Sequence, residues 1–126
     1  MDLSFTRGDT QFIRFQLKSI DGNPIDLTDM AVLYFTVKQN SSSKKRLIQK
    51  KYPNEIQYSG GYYYFVIESE DTSSMPYGTY VYDIEMKSGK YVKTLGSGTL
   101  TLLDETTFRS DEIWFKLQIL NQFFIL

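Results

Sequence analysis

Apolar and polar side chains alternate with a period of two through most of this chain, and that alternation constrains its fold more than any other feature. In Phe12-Ile13-Arg14-Phe15-Gln16-Leu17-Lys18, residues Ile13, Phe15 and Leu17 fall on one side and Arg14, Gln16 and Lys18 on the other. That is the pattern of a half-buried strand. Leu33, Phe35 and Val37 alternate in the same way with Tyr34, Thr36 and Lys38, and Tyr80, Tyr82, Ile84 and Met86 with Val81, Asp83 and Glu85. Tyr62 to Glu68 is apolar on both faces, as expected for a strand inside a sheet.

Turn chemistry separates these runs. Asp21-Gly22-Asn23-Pro24, the polar stretch Gln39 to Lys45, Gly60-Gly61, Pro76-Tyr77-Gly78 and Ser88-Gly89-Lys90 each break a strand pattern. Short strands are further expected at Arg46–Lys51, Ile56–Tyr58 and Tyr91–Leu103, with a short extended piece at Ile25–Thr28. Gly96-Ser97-Gly98 inside the last strand marks a bulge or a corner. Glu70 to Met75 is long enough for one helical turn. About seven strands with no long helical period between them predict an all-β fold, an immunoglobulin-like antiparallel β-sandwich. The Cys–Trp–Cys set of antibody domains is absent. The sandwich is placed at residues 1–104 and a C-terminal extension at 105–126.

That extension is different in character. Ser110-Asp111-Glu112 reads as a capped helix start with two acids in its first turn, followed by a stripe of Ile113, Leu117, Leu120 and Phe124. The same residues fit a strand through Ile113, Phe115, Leu117 and Ile119, but the helix is preferred. An apolar segment that follows a complete sandwich has to be covered, either by its own domain or by a neighbour. Ile113, Trp114, Phe115, Leu117, Leu120, Phe123 and Phe124 are therefore the candidate subunit-contact residues.

Chemistry is constrained by what is missing. The chain has neither cysteine nor histidine, which removes thiolate nucleophiles, disulfides, the usual zinc ligands and the commonest general base. No catalytic, metal or cofactor site is expected. The net charge is −1, so no overall field draws in nucleic acid or an anionic membrane. No signal peptide and no membrane-spanning run is read, so a soluble protein made in the cytoplasm is expected.

Four eye-catching features have ordinary readings. Arg7-Gly8-Asp9 matches the integrin-binding tripeptide but reads as a turn at a strand entrance. The basic cluster Lys44, Lys45, Arg46, Lys50 and Lys51 reads as a solvated loop with charged strand ends. The acidic groups Glu68, Glu70, Asp71, Asp83, Glu85, Asp104 and Glu105 read as solvated faces, with calcium binding as the alternative. Tyr62, Tyr63, Tyr64, Tyr77, Tyr80 and Tyr82 divide between core and surface; a sugar-stacking face is the alternative.

Several of these segments fall into a familiar order. Arg7-Gly8-Asp9-Thr10 leads into a strand, and Asp21-Gly22-Asn23-Pro24-Ile25-Asp26-Leu27-Thr28 precedes the strand ending Phe35-Thr36-Val37-Lys38. Asp71-Thr72 precedes Tyr77-Gly78-Thr79-Tyr80-Val81-Tyr82-Asp83-Ile84, and Gly98-Thr99-Leu100-Thr101-Leu102 closes the pattern. The order resembles the small β-sandwich domains of tailed phages and prophages of Gram-positive bacteria. It is similar to the N-terminal, particle-attached domain of their upper baseplate proteins. The resemblance covers roughly residues 5 to 104, and the apolar extension from about Thr106 departs from it. It implies a non-enzymatic virion structural protein, in a baseplate, tail or head-associated position. Its expected partners are other virion proteins or copies of itself, a homo-oligomer included, with no nucleic acid and no membrane. A carbohydrate-binding, host-recognition module using the tyrosine-rich face is the alternative function.

Overall fold

The computed structural model describes residues 1–27, 31–104 and, for the backbone, 121–125. Nine strands and one helical turn make up the described chain: β1 Leu3–Thr6, β2 Gln11–Gln16, β3 Val32–Lys38, β4 Ile48–Tyr52, β5 Gln57–Ser59, β6 Tyr62–Ile67, α1 Ser69–Thr72, β7 Gly78–Ser88, β8 Tyr91–Leu103 and β9 Asn121–Ile125. A five-stranded sheet has the order β1-β8-β7-β3-β4, and a four-stranded sheet the order β5-β6-β2-β9. The all-β sandwich is thus as expected. The count exceeds seven because the short β1 and the C-terminal β9 each add to an edge.

Direction departs from expectation at those two additions. β1 runs parallel to β8, with Leu3 opposite Leu100, and β9 runs parallel to β2, with Phe12 opposite Asn121. Every other ladder among the described residues is antiparallel. Alternation decides which face of a strand is buried but carries no information about which way its neighbour runs.

On β2, β3 and β7 the buried apolar residues are those the alternation picks out: Ile13 and Phe15, then Leu33, Phe35 and Val37, then Tyr80, Tyr82 and Ile84. On β6, apolar on both faces in sequence, it is Tyr63, Phe65 and Ile67 that turn inward, and Gln16, on the polar side of its run, is also buried. Much of the aromatic content is spent here. Phe15 stacks on Tyr63 at 5.4 Å, Phe35 meets Phe65 across the two sheets at 4.7 Å, and Phe35 meets Tyr82 at 5.3 Å. Stacked and tilted ring pairs of this kind add to the burial of their area.

The long β7–β8 hairpin carries the irregularity foreshadowed by Gly96-Ser97-Gly98. Its register shifts between Ile84 and Glu85: Ile84 faces Gly96 and Glu85 faces Thr94, so Leu95 is the extra residue. Gly98 has a separate role. A Cβ there would lie 2.0 Å from the Met1 carbonyl oxygen and 3.0 Å from the Tyr82 ring, while the Tyr82 hydroxyl donates to that carbonyl at 2.6 Å. Gly98→Ala is expected to push the Met1 backbone off the sheet at a cost of about 1–3 kcal/mol. Urea unfolding checks this. Because both changes break one arrangement, Gly98→Ala combined with Tyr82→Phe should cost less than the sum of the two.

Candidate functional site

The edge of the four-stranded sheet carries Phe123 and Phe124, two of the seven residues the sequence singled out for contact. Over Asn121–Ile125 the structure corrects the helix: the segment is strand β9, with Phe123 opposite Arg14 and Phe124 opposite Phe15 in the ladder. The reason is tertiary. An Asn-Gln-Phe-Phe-Ile run has strand propensity, and β2 offers it a row of backbone donors and acceptors that a helix would leave unpaired. Ile113, Trp114, Phe115, Leu117 and Leu120 lie outside the described residues, as does the helix start at Ser110.

β2 is itself strongly anchored. Ile13 and Phe15 are fully buried, and so is Gln11 at its start. Gln16 at its other end donates from Nε2 to the Gly61 carbonyl at 3.1 Å. On the outer face, the Arg14 guanidinium lies 4.8 Å from the centroid of the Tyr62 ring, a cation–π contact.

The outer face of the five-stranded sheet holds an open groove of about 420 Å³. Strands β3 and β7 bring Tyr34 opposite Glu85 and Thr36 opposite Asp83. Lys38 and Lys87 near the strand ends, with Lys44 and Arg46 from the loop before β4, complete its lining. Gln49 on β4 ties the arrangement together, donating to Thr36 Oγ1 at 3.1 Å and accepting from Arg46 at 3.2 Å. Burial raises the Asp83 carboxyl above its ordinary range, and Lys38 opposes the shift. The groove is lined by charged groups of both signs and by hydrogen-bonding side chains.

The tyrosines do not gather into one platform. Tyr63, Tyr80 and Tyr82 are buried. Tyr62 and Tyr64 lie on β6, while Tyr77 stands before β7, beside the other sheet. The buried hydroxyls act as straps. Tyr63 donates to the Ile25 carbonyl at 3.1 Å and accepts from the Leu27 N–H at 2.9 Å, holding the chain that follows β2. Tyr80 donates to the Pro76 carbonyl.

Burial, the largest cause in each case, pushes the Tyr63 and Tyr82 hydroxyls up to about 12. Their ordinary value is 10.0, so the unfolded chain releases these protons first. The stability they carry is intact below pH 10 and is lost as pH rises from there toward 12. Absorbance of tyrosinate near 295 nm should therefore rise in two stages, the later one coinciding with unfolding followed by circular dichroism. A single stage near pH 10 with the fold intact would count against it.

The remaining motifs are absorbed by the fold. Arg7-Gly8-Asp9 is the turn between β1 and β2, with Gly8 at φ 85°. Its Gly8 N–H donates to the buried Thr72 hydroxyl at 2.8 Å, and the Arg7 guanidinium packs 5.4 Å from the Tyr77 ring. Asp71 accepts from the Glu68 N–H at 2.7 Å at the start of α1 and pairs with Lys50 at 2.8 Å. Lys44, Lys45 and Arg46 are exposed, and β4 is an edge strand, where lysines discourage edge-to-edge pairing. Among the described residues, no three Asp or Glu side chains come together as a metal-binding group. None of the helices there is long and apolar enough to cross a membrane.

No protein-family profile matches this chain, and no curated protein does. Among solved structures, it is similar to part of the endo-β-1,4-mannanase from Thermotoga petrophila. Sequence identity is 15% and the TM-score 0.48, over 82% of this chain and 18% of the enzyme. The likeness thus spans under a fifth of that enzyme's length.

Proposed function

We propose that this chain is a non-enzymatic structural subunit of a phage or prophage particle, acting as a protein–protein assembly module in a baseplate, tail or head-associated position. The observation that carries the reading is the ordered set of motifs from Arg7 to Leu102, supported by the part each plays in the sandwich. Arg7-Gly8-Asp9 is a turn, Asp71-Thr72 closes α1 and braces that turn, and Leu100 to Leu102 of the last motif pair in parallel with Leu3 to Phe5 of β1. A chain whose distinctive residues are spent on holding strands together suits a part that is assembled with others. Its partners are other virion proteins or further copies of itself.

The test is compositional. Particles released by inducing the prophage of the source strain are banded on a density gradient and digested for mass spectrometry. Peptides of this chain should band with capsid and tail proteins in a fixed ratio. Recovery only from the unbanded cell extract, with capsid proteins present in the band, overturns the reading.

A further inference from the structure

We infer that β9 is an exchangeable strand: in the assembled protein it pairs with β2 of a second copy of this chain, and the second copy returns the same strand. The inference rests on the assembly role proposed above and names the partner and the mode of contact.

Three observations lead to it. First, β2 needs a neighbour. Without β9 it would be the edge of its sheet, and over Phe12–Gln16 it has no proline or bulge to discourage pairing. Second, the pairing is parallel. An antiparallel partner can be tied by a tight hairpin, whereas a parallel one arrives through a separate connection, so the ladder itself does not favour its own chain.

Third, the connection is longer than a single copy needs. The Arg7 N–H donates to the Leu103 carbonyl at 2.9 Å, so β8 ends at the same pole of the sandwich where β2 begins. Crossing between packed sheets there means covering about 10 Å, which a few residues do. Residues 104–120 intervene, and fully extended they would reach about 55 Å.

Ile113, Trp114, Phe115, Leu117 and Leu120 precede β9 in sequence. A two-fold swap reproduces the same β2–β9 ladder in both copies. The partner is therefore self-complementary.

The chain lacks cysteine, so engineered thiols report pairing without interference. Arg14 is exposed and stands opposite Phe123 in the ladder. Adjacent strands bring such positions within disulfide reach. Two full-length single variants, Arg14→Cys and Phe123→Cys, are unfolded together in denaturant with reductant, refolded as a mixture and oxidised. The expected result is a covalent 14–123 dimer on a non-reducing gel, with the unsubstituted chain at about twice 14.7 kDa in native mass spectrometry. The double variant Arg14→Cys/Phe123→Cys should likewise link between chains. A double variant closed within one chain overturns the inference, as does an unsubstituted chain that stays monomeric at micromolar concentration. Either result leaves the particle-composition test unaffected, so the two readings fail separately.

Discussion

Phe65→Ala is expected to cost about 3–5 kcal/mol of folding stability, a large share of the roughly 5–15 kcal/mol a domain of this kind possesses. Phe65 is 1% exposed. Its ring touches Phe35 of the opposite sheet at 4.7 Å and Phe15 of its own sheet at 6.4 Å. Removing it opens a void at the point where the two layers meet, and the rings of Phe15 and Phe35 cannot both collapse into it. Urea unfolding measures the loss as a fall in midpoint. Tyr64→Ala is the internal control, because the next side chain on the same strand is 40% exposed; it should change stability by about 0.5 kcal/mol or less. Equal losses at the two positions would show that this interlayer contact is not what holds the sandwich together.

Thr72→Val should be the other costly substitution, at about 1–3 kcal/mol. Thr72 is 0% exposed and its hydroxyl accepts from the Gly8 N–H. Valine matches threonine in shape but leaves that amide with no acceptor in a dry site. Thr72→Ser keeps the acceptor and loses one methyl group, a change of about 0.8 kcal/mol. The expected order in urea is therefore wild type, then serine, then valine. If serine proves worse than valine, packing and not the hydrogen bond fixes this joint. The joint matters because it ties the β1–β2 turn to the segment between the sheets, and with it the Arg7-Gly8-Asp9 tripeptide. An RGD whose central amide is spent inside the fold is poorly suited to display.

Strands β2, β3 and β7 were legible because burial of one face imposes a period of two on the sequence. Ile13 and Phe15, Leu33 to Val37, and Tyr80 to Ile84 each announce their inner face in this way. The bulge at Leu95 was legible too, through the glycines that follow it. Two things were not. The parallel partners of β1 and β2 lie about 100 residues away in sequence, and nothing local encodes a partner's identity or direction. The C-terminal segment satisfied a helical stripe and a strand alternation at once; at Asn121–Ile125 the deciding fact is the bare edge of β2. At the candidate sites, tyrosine content hinted at a ligand platform, whereas Tyr63, Tyr80 and Tyr82 serve as straps to main-chain carbonyls. Those acceptors, Ile25, Pro76 and Met1, are visible only in three dimensions. The charged groove of β3, β4 and β7 was likewise hidden, since Asp83, Lys38 and Arg46 meet only through strand register.

The two parallel ladders also set an order of events during synthesis. Leu3 waits for Leu100, and Phe12 waits for Asn121. As the chain emerges, β2 can pair with β6 once about half of it is made, but its other edge finds no partner of its own until the segment around residue 125 is out. Contacts this distant in sequence slow folding, and an uncovered edge in the meantime invites pairing with other nascent chains. On a polysome, where many copies of one message are read side by side, the strand that arrives first need not belong to the same chain.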